Sequence, residues 1–189
     1  IQQAHVIGAS MGGMIAQILA IHYRERVLSL TSWMSTYWFG DPDVPTMTEE
    51  VENLAMGSMA SPPKTREEAM EANLIMFRAL TGNRFPFDEE AFRIEIEEGF
   101  ERGGNPNNNH GLATMPAPSR LDALRELDVP TLIIHGDEDP IINYCHGVVC
   151  AKVIPGAKLL TQKGVGHEFP PGILPETIPA ILDHIGGVG

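Results

Sequence analysis

Three short stretches of this 189-residue chain carry residue types that could perform nucleophilic chemistry. The first is Gly8-Ala9-Ser10-Met11-Gly12-Gly13, between a strand-like stretch at Ala4 to Ile7 and a helical one from about Gly13 to Tyr23. A serine hydroxyl is a weak nucleophile. It becomes useful when a sharp strand-to-helix turn holds its oxygen exposed and a base lies alongside. Glycines two before and two after the serine leave room for strand and helix to approach. The amide of Met11, at a helix N-terminus, points into the same space and can stabilise an oxyanion. A phosphate loop is a poor rival: GxGxxG needs glycine where Ser10 stands, and GxxxxGK[ST] needs a lysine this turn lacks.

A nucleophilic serine requires a base, and the base an orienting acid. Asp137, Glu138 and Asp139 follow the apolar run Leu132 to His135, at the C-terminal end of an expected parallel strand. Open α/β sheets place their ligands at such ends. Twenty-eight residues beyond Asp139, His167 closes the glycine-rich stretch Gly164-Val165-Gly166, where glycines are expected to free a loop that carries the imidazole over the sheet edge. Each feature alone is ordinary, since an acidic turn is usually only a turn and a lone histidine is more often structural. Their order, each at the end of an expected strand, is what points to a serine-acid-histidine site, with all three acids still open.

The stretches Gly8 to Gly13, His135-Gly136-Asp137-Glu138-Asp139-Pro140 and Gly164-Val165-Gly166-His167 resemble the signatures of the α/β-hydrolase superfamily. Pro86-Phe87-Asp88 and Met115-Pro116-Ala117-Pro118-Ser119-Arg120 are similar to capped esterases of the aclacinomycin methylesterase type. The resemblance implies an α/β-hydrolase fold with an inserted helical cap. It makes Ser10 the nucleophile, His167 the base, Met11 N–H an oxyanion donor, and Asp139 the acid, with Asp137 and Glu138 as alternatives. It also implies a serine carboxylesterase acting on a small or medium apolar ester, with no metal and no organic cofactor. Two enzyme alternatives keep the same triad, a carbon–carbon bond hydrolase and a perhydrolase; a third alternative is a non-catalytic ligand-binding protein of the same fold. Serine rather than aspartate at the turn is unlike epoxide hydrolases and haloalkane dehalogenases.

These residues need a framework. Strand, turn, helix and the strand Val27 to Trp33 make a βαβ unit and hence a parallel sheet. The helix carries Ile15, Ile18, Leu19 and His22 on one side, its expected packing face. Three helices follow, Thr48 to Met56, Thr65 to Leu80 and Asp88 to Glu101, each starting with N-cap chemistry. Residues 36–118 therefore read as a helical cap inserted into a core of residues 1–35 and 119–189. Strands at Val129 to Ile134 and Lys158 to Thr161, and helices at Tyr144 to Val153 and Pro175 to Ile185, complete that core. Trp33 and Trp38, with Met34, Tyr37 and Phe39, either line an apolar pocket or anchor the cap. Met56, Met59, Met70 and Met76 read as cap packing.

Composition narrows the partners. Hydrophobic residues make up 43% and charged residues 20%, as in globular proteins. The net charge is −12, and residues 36–118 carry 15 of the 25 acids against 6 of the 13 basic residues, so most of it belongs to a solvated cap face. Such an excess disfavours nucleic acid or an anionic membrane as partner; a small-molecule ester is the partner that the resemblance implies. The longest apolar stretch, Met11 to Ile21, is too short to span a bilayer. Cys145 and Cys150, five apart on a helix, read as two buried thiols in a reducing, cytoplasmic setting. The remaining histidines, His5, His22, His110, His135, His146 and His184, read as structural or exposed. The chain opens at Ile1, and the resemblance leads one to expect strands and a second oxyanion donor upstream of it, an exposed sheet edge and little activity without them.

Overall fold

The structure, a computed structural model, describes residues 1–103 and 117–188. His110, the linker residues 104–106 and the Met115-Pro116 pair lie outside the described residues. The elements are β1 (Ala4–Ala9), α1 (Met11–His22), β2 (Val27–Trp33), α2 (Glu49–Ala60), α3 (Arg66–Leu80), α4 (Glu89–Glu101), α5 (Leu121–Arg125), β3 (Thr131–Gly136), α6 (Tyr144–Val153), β4 (Lys158–Gln162) and α7 (Leu174–Gly186).

The four strands form one parallel sheet in the order β1-β2-β3-β4. Ala9 pairs with Trp33, Trp33 with Ile134, and Ile134 with Leu160, so all C-terminal ends finish along one edge. Helices pack on both faces of the central strands, as crossover connections require, while Ile7 of β1 and Leu159 of β4 are exposed at the sheet edges. On one face Ala16, Ala20, Leu30, Leu124, Ile133, Cys150 and Ile154 form a buried cluster. On the other, Trp33, Leu132, Ile134, Val165, Ile173 and Ile181 form a second. β3 alternates between them, with Ile133 on one side and Leu132 and Ile134 on the other.

Helix starts follow the side chains that can accept their free amides. Thr48 accepts from Val51 N–H, Thr65 from Glu68 N–H and Asp88 from Ala91 N–H. Asn143 caps α6 by accepting from Cys145 N–H, a signal not read in the sequence. β3 begins at Thr131 rather than Val129, because Pro130 has no amide to donate; its carbonyl still accepts from Leu30 N–H at 2.9 Å. The short α5 carried no periodic pattern long enough to detect.

Helix α1 reverses the expected face. Its buried residues are Gly13, Met14, Ala16, Gln17 and Ala20, whereas Ile15, Ile18 and Leu19 are exposed. Close packing of α1 on the sheet selects the small residues, whose backbone can approach the strands; the branched residues lie on the other side. Met56 and Met59 are likewise exposed rather than packed, and Cys145 is exposed while Cys150 is buried.

Arg120 ties the residues just after β2 to helix α1. This buried guanidinium donates through Nε to Gln17 Oε1 at 3.2 Å and through Nη2 to Thr36 O at 2.7 Å. Its backbone N–H donates to Tyr37 O, and Gln17 Nε2 donates to Ser32 Oγ. Between α3 and α4, Phe92 stacks on both Phe77 and Phe87, and Arg78 lies over the Phe87 ring. Among the described residues no helix is long and apolar enough to cross a membrane.

His146 on α6 is buried beneath Tyr37 and Phe39, with Nδ1 2.9 Å from Thr36 Oγ1. Burial, reinforced by neighbouring His135, pushes its pKa from the ordinary 6.5 down to about 4. The folded state thus holds this imidazole neutral where the unfolded chain takes up a proton. Stability from His146 is complete above 6.5 and declines as pH falls toward 4, by about 3 kcal/mol across the window. His146→Gln is expected to flatten the loss of urea-unfolding free energy between pH 6.5 and 4; an unchanged slope would place that proton uptake elsewhere.

Candidate active site

Ser10 links β1 to α1 with φ 53° and ψ −121°, a left-handed conformation that costs a non-glycine residue energy. Its surroundings hold that conformation. Ser10 N–H donates to Trp33 O at 2.9 Å, and Ser10 O accepts from Gly13 N–H at 2.9 Å and from the Ser35 hydroxyl at 2.8 Å. Met34 is also left-handed, at φ 40°, and donates its N–H to Ile134 O at 2.8 Å. Adjacent strand ends therefore both turn sharply, and Ser35 joins them.

Two glycines permit this turn, and they are not the expected pair. A Cβ on Gly8 would collide with the Gly12 carbonyl, and one on Gly13 would lie 2.5 Å from Ser35 Cβ. A Cβ on Gly12 would meet nothing within 4 Å. Met11, the first residue of α1, has no intrahelical partner for its N–H.

His167 Nε2 lies 3.0 Å from Ser10 Oγ, and His167 Nδ1 lies 2.7 Å from Asp139 Oδ2. Asp139 is buried, and its other oxygen accepts from Ile141 N–H at 3.0 Å and Ile142 N–H at 2.8 Å. His135, fully buried on β3, places Nε2 3.4 Å from Asp139 Oδ2 while donating from the same nitrogen to Ile142 O at 2.8 Å. Burial alone would raise the Asp139 carboxyl; the hydrogen bonds and charges of His135 and His167 outweigh it and hold its pKa at about 2. The ionised carboxylate can only accept, so the ring proton sits on Nδ1 of His167 and the bare Nε2 faces the serine hydroxyl.

The alternative acids are engaged elsewhere. Asp137 accepts from Lys163 Nζ at 2.9 Å and from Gly164 N–H at 2.7 Å. Those bonds overcome its partial burial and lower its pKa. Glu138 accepts from the backbone and side-chain amides of Asn83, both at 2.8 Å. The glycines of the His167 loop act in two ways: Gly164 takes φ 69°, a conformation that favours glycine, whereas a Cβ on Gly166 would collide with Leu80 O, and one on the neighbouring Gly136 with Val165 O, so these two serve close backbone contact. His135, which the sequence reads as structural or exposed, is buried and structural; its contact with Asp139 is not legible from the pattern, although its place four before Asp139 on a buried strand is a signal for it.

Trp33 and Trp38 do not share a wall. Trp33 belongs to the core facing α7, donates its indole N–H to Gln162 Oε1 at 3.1 Å, and packs edge-on against Phe169. Trp38 packs on the opposite core and against Gly40. Among the described residues no three His, Cys, Asp or Glu side chains converge as a metal site.

Residues 1–170 match the family model described as alpha/beta hydrolase fold. The rhodomycin D methylesterase DnrP of Streptomyces peucetius is 28% identical over 97% of this chain and 67% of its own length. A 2-hydroxymuconate semialdehyde hydrolase of Pseudomonas putida is 27% identical over 88% of this chain and 57% of its own. The meta-cleavage product hydrolase CumD of Pseudomonas fluorescens superposes with a TM-score of 0.76 at 20% identity, covering 100% of this chain and 66% of that one. The chain thus spans about two-thirds or less of the length of these relatives.

Replacing Gly8 by Ala is expected to cost more than about 2 kcal/mol, through overlap with a backbone that cannot yield. Replacing Gly12 by Ala should be neutral or stabilise by up to about 1 kcal/mol through helix propensity. Urea melts of the two variants check this, and equal losses would refute the assignment. By its matched length and its parallel sheet, this chain belongs to the α/β-hydrolase fold family.

Proposed function

We propose that the chain carries the machinery of a serine hydrolase that cleaves a carboxylic ester of a small or medium apolar substrate through an acyl-enzyme. The reading rests on one observation, the unbroken series Ser10 Oγ, His167 Nε2, His167 Nδ1 and Asp139 Oδ2 at 3.0 and 2.7 Å. In this mechanism Nε2 takes the hydroxyl proton as Oγ bonds to the ester carbonyl carbon, and the carbonyl π pair moves to oxygen. Met11 N–H donates to that oxyanion. Collapse breaks the carbon–alkoxy bond, and His167 returns its proton to the leaving alcohol. Water then repeats the sequence with His167 as base, freeing the acid and Ser10. Asp139 holds the tautomer and offsets the imidazolium charge.

An ester is favoured because the methylesterase relative aligns over nearly the whole chain, cap included. The exposed Phe169, packed edge-on against the buried Trp33, adds an apolar surface two residues from His167. The second reading, hydrolysis of a carbon–carbon bond, is kept alive by the similarity to 2-hydroxymuconate semialdehyde hydrolase.

Ser10→Ala and His167→Ala are each expected to lower p-nitrophenyl ester hydrolysis by at least about a thousandfold, and Asp139→Asn by about 10³ to 10⁴. Fluorophosphonate labelling should disappear with Ser10→Ala, and labelling that persists would move the nucleophile. Turnover of 2-hydroxymuconate semialdehyde at a higher kcat/KM than any ester would transfer the assignment to the second reading.

A further inference from the structure

The turn between α3 and α4 belongs to the cap in sequence, yet it is bound to the two loops that carry the acid and the base. His167 donates its own backbone N–H to Leu80 O, the last residue of α3, at 2.8 Å. Four residues on, Arg84 N–H donates to Gly164 O, also at 2.8 Å. Main chain is thus joined to main chain on both sides of the turn. Two carboxylates complete the attachment. Buried Glu168, the residue after His167, accepts from Gly82 N–H at 2.8 Å. Glu138, the residue before Asp139, accepts both amides of Asn83.

The approach is close enough to exclude side chains. A Cβ on Gly82 would collide with Gly164 O and lie 2.5 Å from Gly166 N. Arg84 continues the attachment to α7, where Nη1 meets Glu176 Oε1 at 2.7 Å. A turn that merely covered the surface would not need a carboxylate from each triad loop, nor glycines on both sides of the contact.

We propose that Glu168, assisted by Glu138, is a positioning residue that fastens the Gly82–Arg84 turn to the His167 loop, so that the imidazole keeps its place over Ser10 only while this part of the cap is docked. The turn is then a fixed support, and any cap movement that admits substrate must pivot elsewhere. The consequence for catalysis rests on the serine-hydrolase reading; the mechanical coupling does not.

The test compares Glu168→Ala, Glu168→Gln and Glu138→Ala with the unsubstituted protein. Amide hydrogen exchange is followed by NMR, alongside fluorophosphonate acylation and p-nitrophenyl acetate kinetics. Glu168→Ala is expected to speed exchange at the His167 and Gly82 amides by about tenfold, as loss of one buried acceptor implies. It should lower kcat and the acylation rate by a similar factor of about ten while KM stays within about twofold. Glu168→Gln, whose side-chain carbonyl can still accept from Gly82, should restore both readouts. If Glu168→Ala fails to fold, exposed Glu138→Ala decides, with exchange at the Asn83 and His167 amides faster by about threefold or more. Unchanged His167 exchange in a folded variant, or a Gln variant as impaired as the Ala one, overturns the proposal. Absence of labelling in the unsubstituted protein would instead defeat the serine-hydrolase reading, and the exchange data would still judge the coupling.

Discussion

The 2.7 Å hydrogen bond from His167 Nδ1 to Asp139 Oδ2 is the constraint on which the site depends. It joins the loops after β3 and β4, so the pairing of those strands sets how far apart the two groups stand. Register from Leu132 with Lys158 to Gly136 with Gln162 brings both loops to the same edge, and Asp137 and Gly164 bond across the gap. The carboxylate survives burial because four contacts surround it: two backbone amides, His167 and His135. A buried carboxylate without them would take up a proton and lose its hold on the imidazole tautomer.

Close backbone approach is the second governing feature. Ser10 can stand strained between β1 and α1 because Gly8 and Gly13 leave space, while Ser35 and Trp33 hold its carbonyl and amide. The same device recurs at the histidine loop, where Gly82, Gly136 and Gly166 let three backbone segments meet. Glycines that promise flexibility when read along the chain serve rigidity here, since each removed Cβ is replaced by a backbone contact or hydrogen bond. The same demand buries the small face of α1 and leaves Ile15, Ile18 and Leu19 outside.

The helices α2 to α4 divide their chemistry differently. Their ion pairs, such as Arg66 with Glu97 and Arg93 with Glu71 and Glu89, are largely exposed and contribute little each. The Phe77, Phe92 and Phe87 stack and buried Val51, Ala69, Leu74 and Ile96 hold the helices together. Their links to the sheet are both apolar and polar: Tyr37, Val44 and Trp38 pack into one core cluster and Phe85 against the other, while Arg120, Thr48 N–H on Pro140 O, and Gly82 to Arg84 on the Asp139 and His167 loops add directional bonds. The acidic excess thus sits on the outer surface of helices that are anchored by buried apolar residues and fixed in register by directional bonds.

Much of this is legible in the sequence alone. The strands, the three capped helices and the Ser10 turn follow from patterns within a few residues, where local backbone geometry and side-chain caps decide the outcome. The order serine, acid, histidine marked the strand ends that mattered. Other features could not be read that way. Which of Asp137, Glu138 and Asp139 meets His167, which glycine at the elbow is indispensable, where Trp33 points and that His135 touches the acid all depend on distances through space. Ser10 and His167 are 157 positions apart, and only strand register and cap docking bring them to 3.0 Å. Local sequence therefore determined which groups could react. The tertiary structure decided which of them do meet, because that depends on how distant backbones pack and not on the residues beside each group.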